Sequence, residues 1–136
     1  MPEAVIVDTV RTPIGRAFKG SLAQLRPDNA GAFIIDQLLE RNPGVNPKDV
    51  EEVFCGVGMP QGKEAFNLAR IMVLLSDKLG KETTGVTMSR YCASSLDAIR
   101  HAALFDPSRG GVQAFILMRA RNVARTHLRA HRRSDE

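Results

Sequence analysis

Cysteine is scarce in this sequence: there are two among 136 residues, Cys55 and Cys92. Two thiols make no disulfide framework, and neither has a second cysteine or a histidine at metal-ligand spacing, so no metal site is expected. Long uncharged apolar runs are also missing. A content of 43% hydrophobic and 25% charged residues suits a globular chain, not a membrane span. The opening MPEAVIVDTVRTP lacks the basic start and longer apolar stretch of a secretory signal and carries Glu3 and Asp8 instead, which makes a cytoplasmic location the expectation. There is no internal repeat and no low-complexity linker. A chain of this length builds one core, not two complete domains.

The net charge of +4 invites a nucleic-acid reading, but its distribution argues against one. Residues 1–118 hold 13 Lys or Arg against 13 Asp or Glu, so the excess lies in RARNVARTHLRAHRRSDE, residues 119–136, with six Arg against Asp135 and Glu136. The body is neutral and the tail basic. The tail has too few apolar residues for a helical face and no aromatics to stack on bases, so it is expected to be disordered and nucleic acid is not an expected partner.

Strands and helices alternate along the body. AVIVDTV, residues 4–10, is β-branched and almost continuously apolar, which predicts a strand covered on both faces. After a loop with Pro13, Gly15 and Gly20, a helix is expected over 30–41, capped by Asp28 or Asn29, with Ala30, Phe33, Ile34 and Leu38 on its apolar face. Asn42, Pro43 and Gly44 end it. A strand over 50–58, a helix over 67–79 capped by Asn67, a strand over 84–91 and a helix from about Cys92 follow, and VQAFILM at 112–118 supplies one more strand. Such alternation across short loops predicts parallel crossover units and an α/β layered fold.

Two features could carry chemistry. GVGMPQGK, residues 56–63, places its third glycine one residue late for the dinucleotide fingerprint and has Glu64 where a phosphate loop needs Ser or Thr, so it reads as an ordinary loop. MSRYCASSLDAI, residues 88–99, is different. A helix beginning at Cys92 aims backbone amides and the positive end of its dipole at the sulfur, an arrangement that favours a nucleophilic thiolate and a charge developing on a reacting oxygen. Ala93, Ser94 and Ser95 leave room for a substrate. On this local pattern alone, a catalytic thiol and a small buried residue at a strand-to-helix turn both stay open. Cys55, inside an expected strand, reads as structural.

MSRYCASSLDAI resembles the nucleophile motif of the thiolases. EAVIVDTVRTPIGRAFKGSL resembles the start of that family, and VFCGVGMPQG and FNLAR resemble the segment between, in the same order across residues 3–103. The resemblance implies a partial thiolase N-terminal domain at 1–118, followed by the basic tail at 119–136. It makes Cys92 the acyl-accepting nucleophile in thiolysis of a 3-ketoacyl-coenzyme A, or in the reverse Claisen condensation. Acyl-coenzyme A is then a substrate, no cofactor is permanently bound, coenzyme A-binding residues are not assigned, and a homo-oligomer is expected.

Thiolases also use a histidine, a second cysteine and coenzyme A loops from later parts of a longer chain. His101 lies nine residues beyond Cys92 on the same expected helix, about 13 Å along its axis, too far to serve as base. From Leu104 the pattern departs, with Asp106 where the family has an apolar residue. An interrupted reading frame that leaves a non-native tail is the expectation this raises, and with it an isolated chain that is inactive and prone to associate through SSLDAIRHAALF. The alternative is a non-catalytic dimerisation or interaction module.

Overall fold

The computed structural model describes residues 5–103 and the backbone of the strand at 114–119. Three parallel strands form one sheet in the order β2-β1-β3, with β1 at Val50–Gly56, β2 at Thr84–Met88 and β3 at Ala114–Arg119. The helices are α1 at Pro27–Arg41, α2 at Leu68–Leu75 and α3 at Ser94–Ala103. Parallel strands need crossovers, and α2 and α3 supply them, which gives the α/β layering expected from the sequence.

The central strand is buried on both faces. Val53, Cys55 and Val57 cluster with Ile35 and Leu39 of α1 and with Leu68, Ala69, Met72 and Val73 of α2. Side chains alternate along a strand, so Phe54 and Gly56 face the other way, and there Gly56 meets the backbone of Ser94 and Ser95 at the start of α3. Val50 joins the same cluster as Val53, although they are three residues apart. The pairing with β3 shifts register between Val50 and Glu52, and the extra residue reverses the alternation there.

Asn67 caps α2 as its sequence suggests, accepting from the Arg70 N–H at 3.2 Å. Its side chain also reaches β2, accepting from Thr87 Oγ1 at 2.9 Å and donating to the Gly85 carbonyl at 2.7 Å. The helix stops at Leu75, four residues before the expected Leu79. The reason lies on α1, where the Asp36 carboxylate accepts from the Ser76 hydroxyl and from the backbone N–H groups of Asp77 and Lys78, drawing those amides out of the helical ladder.

Two other expectations are corrected. Residues 5–10 form no strand, and Val5, Ile6 and Val7 are each about three-quarters exposed. A strand needs a neighbour, and the side of β1 away from β2 is taken by β3. Asp8 instead ties the segment to the end of α1, accepting from Arg41 and from the Asn42 side chain, each at 3.0 Å. On α1 the buried stripe is Gly31, Ala32, Ile35 and Leu39, with Ile34 and Leu38 half-buried and Phe33 exposed.

The helix also begins earlier than expected, at Pro27, whose missing N–H costs nothing in a first turn. Asp28 is not the N-cap. Both its oxygens take the Arg26 guanidinium, and Oδ1 also accepts the Asn29 N–H at 2.9 Å. The hydrogen-bonded Arg26 guanidinium and, less strongly, the Asn29 amide hold this carboxyl below the usual carboxylate range, against the opposing effect of burial. A depressed carboxylate stabilises the fold above its unfolded value, and the contribution is lost as pH falls through the folded one. Asp28→Asn is therefore expected to melt below wild type at pH 6, with the gap narrowing as the pH drops below about 4. A gap constant from pH 6 to pH 2 in thermal melts would refute the assignment.

Candidate active site

Because the strands are parallel, the segments following β1 and β2 emerge at one end of the sheet, the end where α/β folds usually place their chemistry. They are joined directly, with the Val57 N–H donating to the Met88 carbonyl at 2.9 Å. Three residues beyond Met88 the chain turns sharply at Tyr91, whose φ is 47°. Tyr91–Ala93 form a single 3₁₀ turn that runs into α3 at Ser94.

Cys92 lies in that turn, two residues before the α-helix expected to begin with it, and it is exposed. It therefore precedes the first amides of α3, where partial positive charge accumulates. Its neighbour Tyr91 is also exposed, as are Leu96 and Ile99 on the outer face of α3. Arg90 is anchored by an ion pair from Nε to Asp97 Oδ2 at 3.1 Å. The thiol thus sits on the outer surface of a turn whose backbone is fixed from beneath.

Cys55 occupies the opposite environment. It is fully buried in β1, and burial first, then the nearby Glu64 carboxylate, pushes its thiol up to about 12. Such a thiol stays protonated at neutral pH and packs as a small apolar group. Glu64 is itself raised by burial. His101 is exposed in the last turn of α3, at the far end of the helix from Cys92. The structure does not bring the two together. His127 and His131 lie outside the described residues.

Two residues shape the turn in ways the sequence did not indicate: Ser94, expected to leave room for a substrate, is instead buried beneath the turn, and Gly56 lies under it. Ser94 is 2% exposed and its hydroxyl joins three backbone groups, while Gly56 leaves the space into which α3 settles. A signal for Ser94 was present: Ser94 and Asp97 have the three-residue spacing of a capping box. In the structure Asp97 pairs with Arg90 instead. Among the described residues no three His, Cys, Asp or Glu side chains are grouped so as to hold a metal ion, and no helix is long and apolar enough to cross a membrane.

The sequence profile of the family "Thiolase, N-terminal domain" matches residues 4–104, and the chain belongs to that family. It is 41% identical over 103 residues to the 3-ketoacyl-CoA thiolase of Colwellia psychrerythraea, covering 76% of this chain and 26% of that protein. To the beta-ketoadipyl-CoA thiolase of Pseudomonas aeruginosa it is 46% identical over 97 residues, 71% of this chain and 24% of the relative. Among solved structures, the acetyl-CoA acetyltransferase from Syntrophomonas wolfei superposes with a TM-score of 0.56 at 27% identity, over 68% of this chain and 22% of that one. The chain thus spans about a quarter of the length of the relatives it matches.

Proposed function

We propose that Cys92 is the acyl acceptor of a thiolase-type acyltransferase acting on 3-ketoacyl-coenzyme A. The Cys92 sulfur adds to the keto carbon, the bond between that carbon and C2 breaks, and C2 takes a proton as acetyl-coenzyme A leaves. The sulfur of a second coenzyme A then attacks the acyl-cysteine carbonyl and displaces Cys92. Read backwards, this is a Claisen condensation. Coenzyme A enters as substrate, and no resident cofactor takes part.

The observation that carries this reading is the exposed thiol of Cys92 in the turn entering α3, within the family match. Cys55, buried and held protonated, is no competitor for the role. Thiolysis needs a base and an acid as well, and His101, at the other end of α3, is too far to serve. These 136 residues by themselves are accordingly assigned only slow acylation, in which the proton given up by the Cys92 thiol goes to C2, and no turnover. Residues 1–118 form the partial domain and 119–136 a basic tail, although β3 runs one residue past that boundary, to Arg119. The exposed Leu96 and Ile99, within the segment expected to associate, and the exposed Val5, Ile6 and Val7, expected to be covered in a strand, support association with a second copy. The cytoplasmic location expected from the N-terminal composition accords with the same reading.

Incubation with a 3-ketoacyl-coenzyme A, followed by intact mass measurement and peptide mapping, is expected to show one acyl adduct on Cys92 and none in Cys92→Ala, with no catalytic release of acyl-coenzyme A. An adduct that persists in Cys92→Ala, or that maps to Cys55, would overturn the assignment.

A further inference from the structure

Tyr91 stands immediately before the candidate nucleophile with φ at 47°, a left-handed conformation unfavourable for a bulky aromatic residue. Something must hold it there, and its own side chain, 77% exposed, does not. Two backbone bonds close the turn, from the Ala93 N–H to the Arg90 carbonyl at 3.0 Å and from the Ser94 N–H to the Tyr91 carbonyl, and one buried hydroxyl ties it to the sheet. Ser94 Oγ accepts the N–H of Arg90 at 2.8 Å, on the near side of Tyr91. Its single proton is shared between the Tyr91 carbonyl at 2.7 Å, on the far side, and the Val57 carbonyl at 3.0 Å, at the end of β1. The hydroxyl therefore brackets the strained residue and pins it to the central strand. Val57 is fixed in turn by its N–H to Met88.

The geometry points to Ser94 as a positioning residue for Cys92: its hydroxyl keeps Tyr91 left-handed, so that the following thiol projects outward from the turn toward an acyl donor. This rests on the reading of Cys92 as acyl acceptor and adds the means by which the thiol is presented. Replacing the hydroxyl by hydrogen leaves the Arg90 N–H and the Val57 carbonyl without it, while the Tyr91 carbonyl keeps the Ser94 N–H; with its tie to the sheet gone, the turn relaxes Tyr91 toward negative φ and turns Cys92 away.

The test uses the full chain, with Ser94→Ala, Tyr91→Gly and the double variant. Acyl-adduct formation at Cys92 from a 3-ketoacyl-coenzyme A is expected to slow roughly tenfold in Ser94→Ala, as misplaced reacting groups do. Adding Tyr91→Gly should restore most of it, because glycine adopts left-handed φ unaided. Backbone chemical shifts at residue 91 should move in Ser94→Ala. Tyr91→Gly alone should melt no lower than wild type, a measurement that stands even if Ser94→Ala fails to fold. An unchanged adduct rate in Ser94→Ala, a loss that glycine does not rescue, or a lower melting temperature for Tyr91→Gly overturns the proposal. If wild type forms no adduct, the reading of Cys92 fails, whereas the shifts at residue 91 still decide whether Ser94 holds the turn.

Discussion

Gly56→Ala is expected to destabilise the chain by about 3 kcal/mol, at the upper end of the usual cost of overpacking. A β-carbon at position 56 would lie 2.5 Å from the Ser94 carbonyl carbon and the Ser95 nitrogen, and 2.6 Å from the Ser94 oxygen. All three are backbone atoms, so no side chain can swing aside. Relief requires lifting the start of α3 from β1, which stretches the Ser94 hydroxyl away from the Val57 carbonyl. Position 31 makes a useful contrast, because a β-carbon there would meet the thioether end of Met72, also at 2.5 Å. A methionine end adapts, and alanine recovers about 1 kcal/mol of helix propensity over glycine, so Gly31→Ala should cost far less. Denaturant midpoints at unchanged slope measure both. If Gly56→Ala loses under about 1 kcal/mol, α3 does not depend on a close seat against β1.

The same contact explains what the sequence did and did not disclose about the site. The turn at Cys92 was legible because its determinants are local: a short strand, small residues and a helix start in one continuous run. The seat of Ser94 on Gly56 was not, because it is a contact between the end of β1 and the start of α3, well separated in the chain, and the Ser94–Asp97 spacing points only to a helix cap. Inert Cys55 was legible from its position in an apolar strand, whereas the influence of Glu64 on it needed the folded loop.

For the fold, β1, α2 and β2 followed from apolar runs between turn signals and from Asn67 as a cap. The segment at 4–10 has a strand's composition but forms none over its described part, 5–10, because strand formation is a pairing event and β3 occupies the neighbouring place on β1. The end of α2 was missed for a similar reason, since Asp36 reaches it from another helix.

Ile35→Ala should cost about 3 kcal/mol, whereas Phe33→Ala, which removes the larger side chain, should cost roughly 0.5 kcal/mol. Size and spacing alone favour the reverse, because Phe33, Ile34 and Leu38 form the bulkier stripe of α1. Burial decides: Ile35 is fully buried among α2 and β1 residues, while Phe33 is 61% exposed. The inversion follows from how α2 approaches. Gly31 lies against Met72, and Ala32 is buried beside it, so the helices close on the stripe of small residues and Ile35 fills the space below. Truncating Ile35 removes contacts on every side and leaves a cavity that packed helices refill only in part, whereas truncating Phe33 chiefly removes atoms already in water. Ile35→Val, losing a single methyl, should fall near 1 kcal/mol. Equal losses at 33 and 35 in denaturant titrations would mean that α1 packs through its bulky stripe, rotated from the orientation that lets Met72 sit over Gly31.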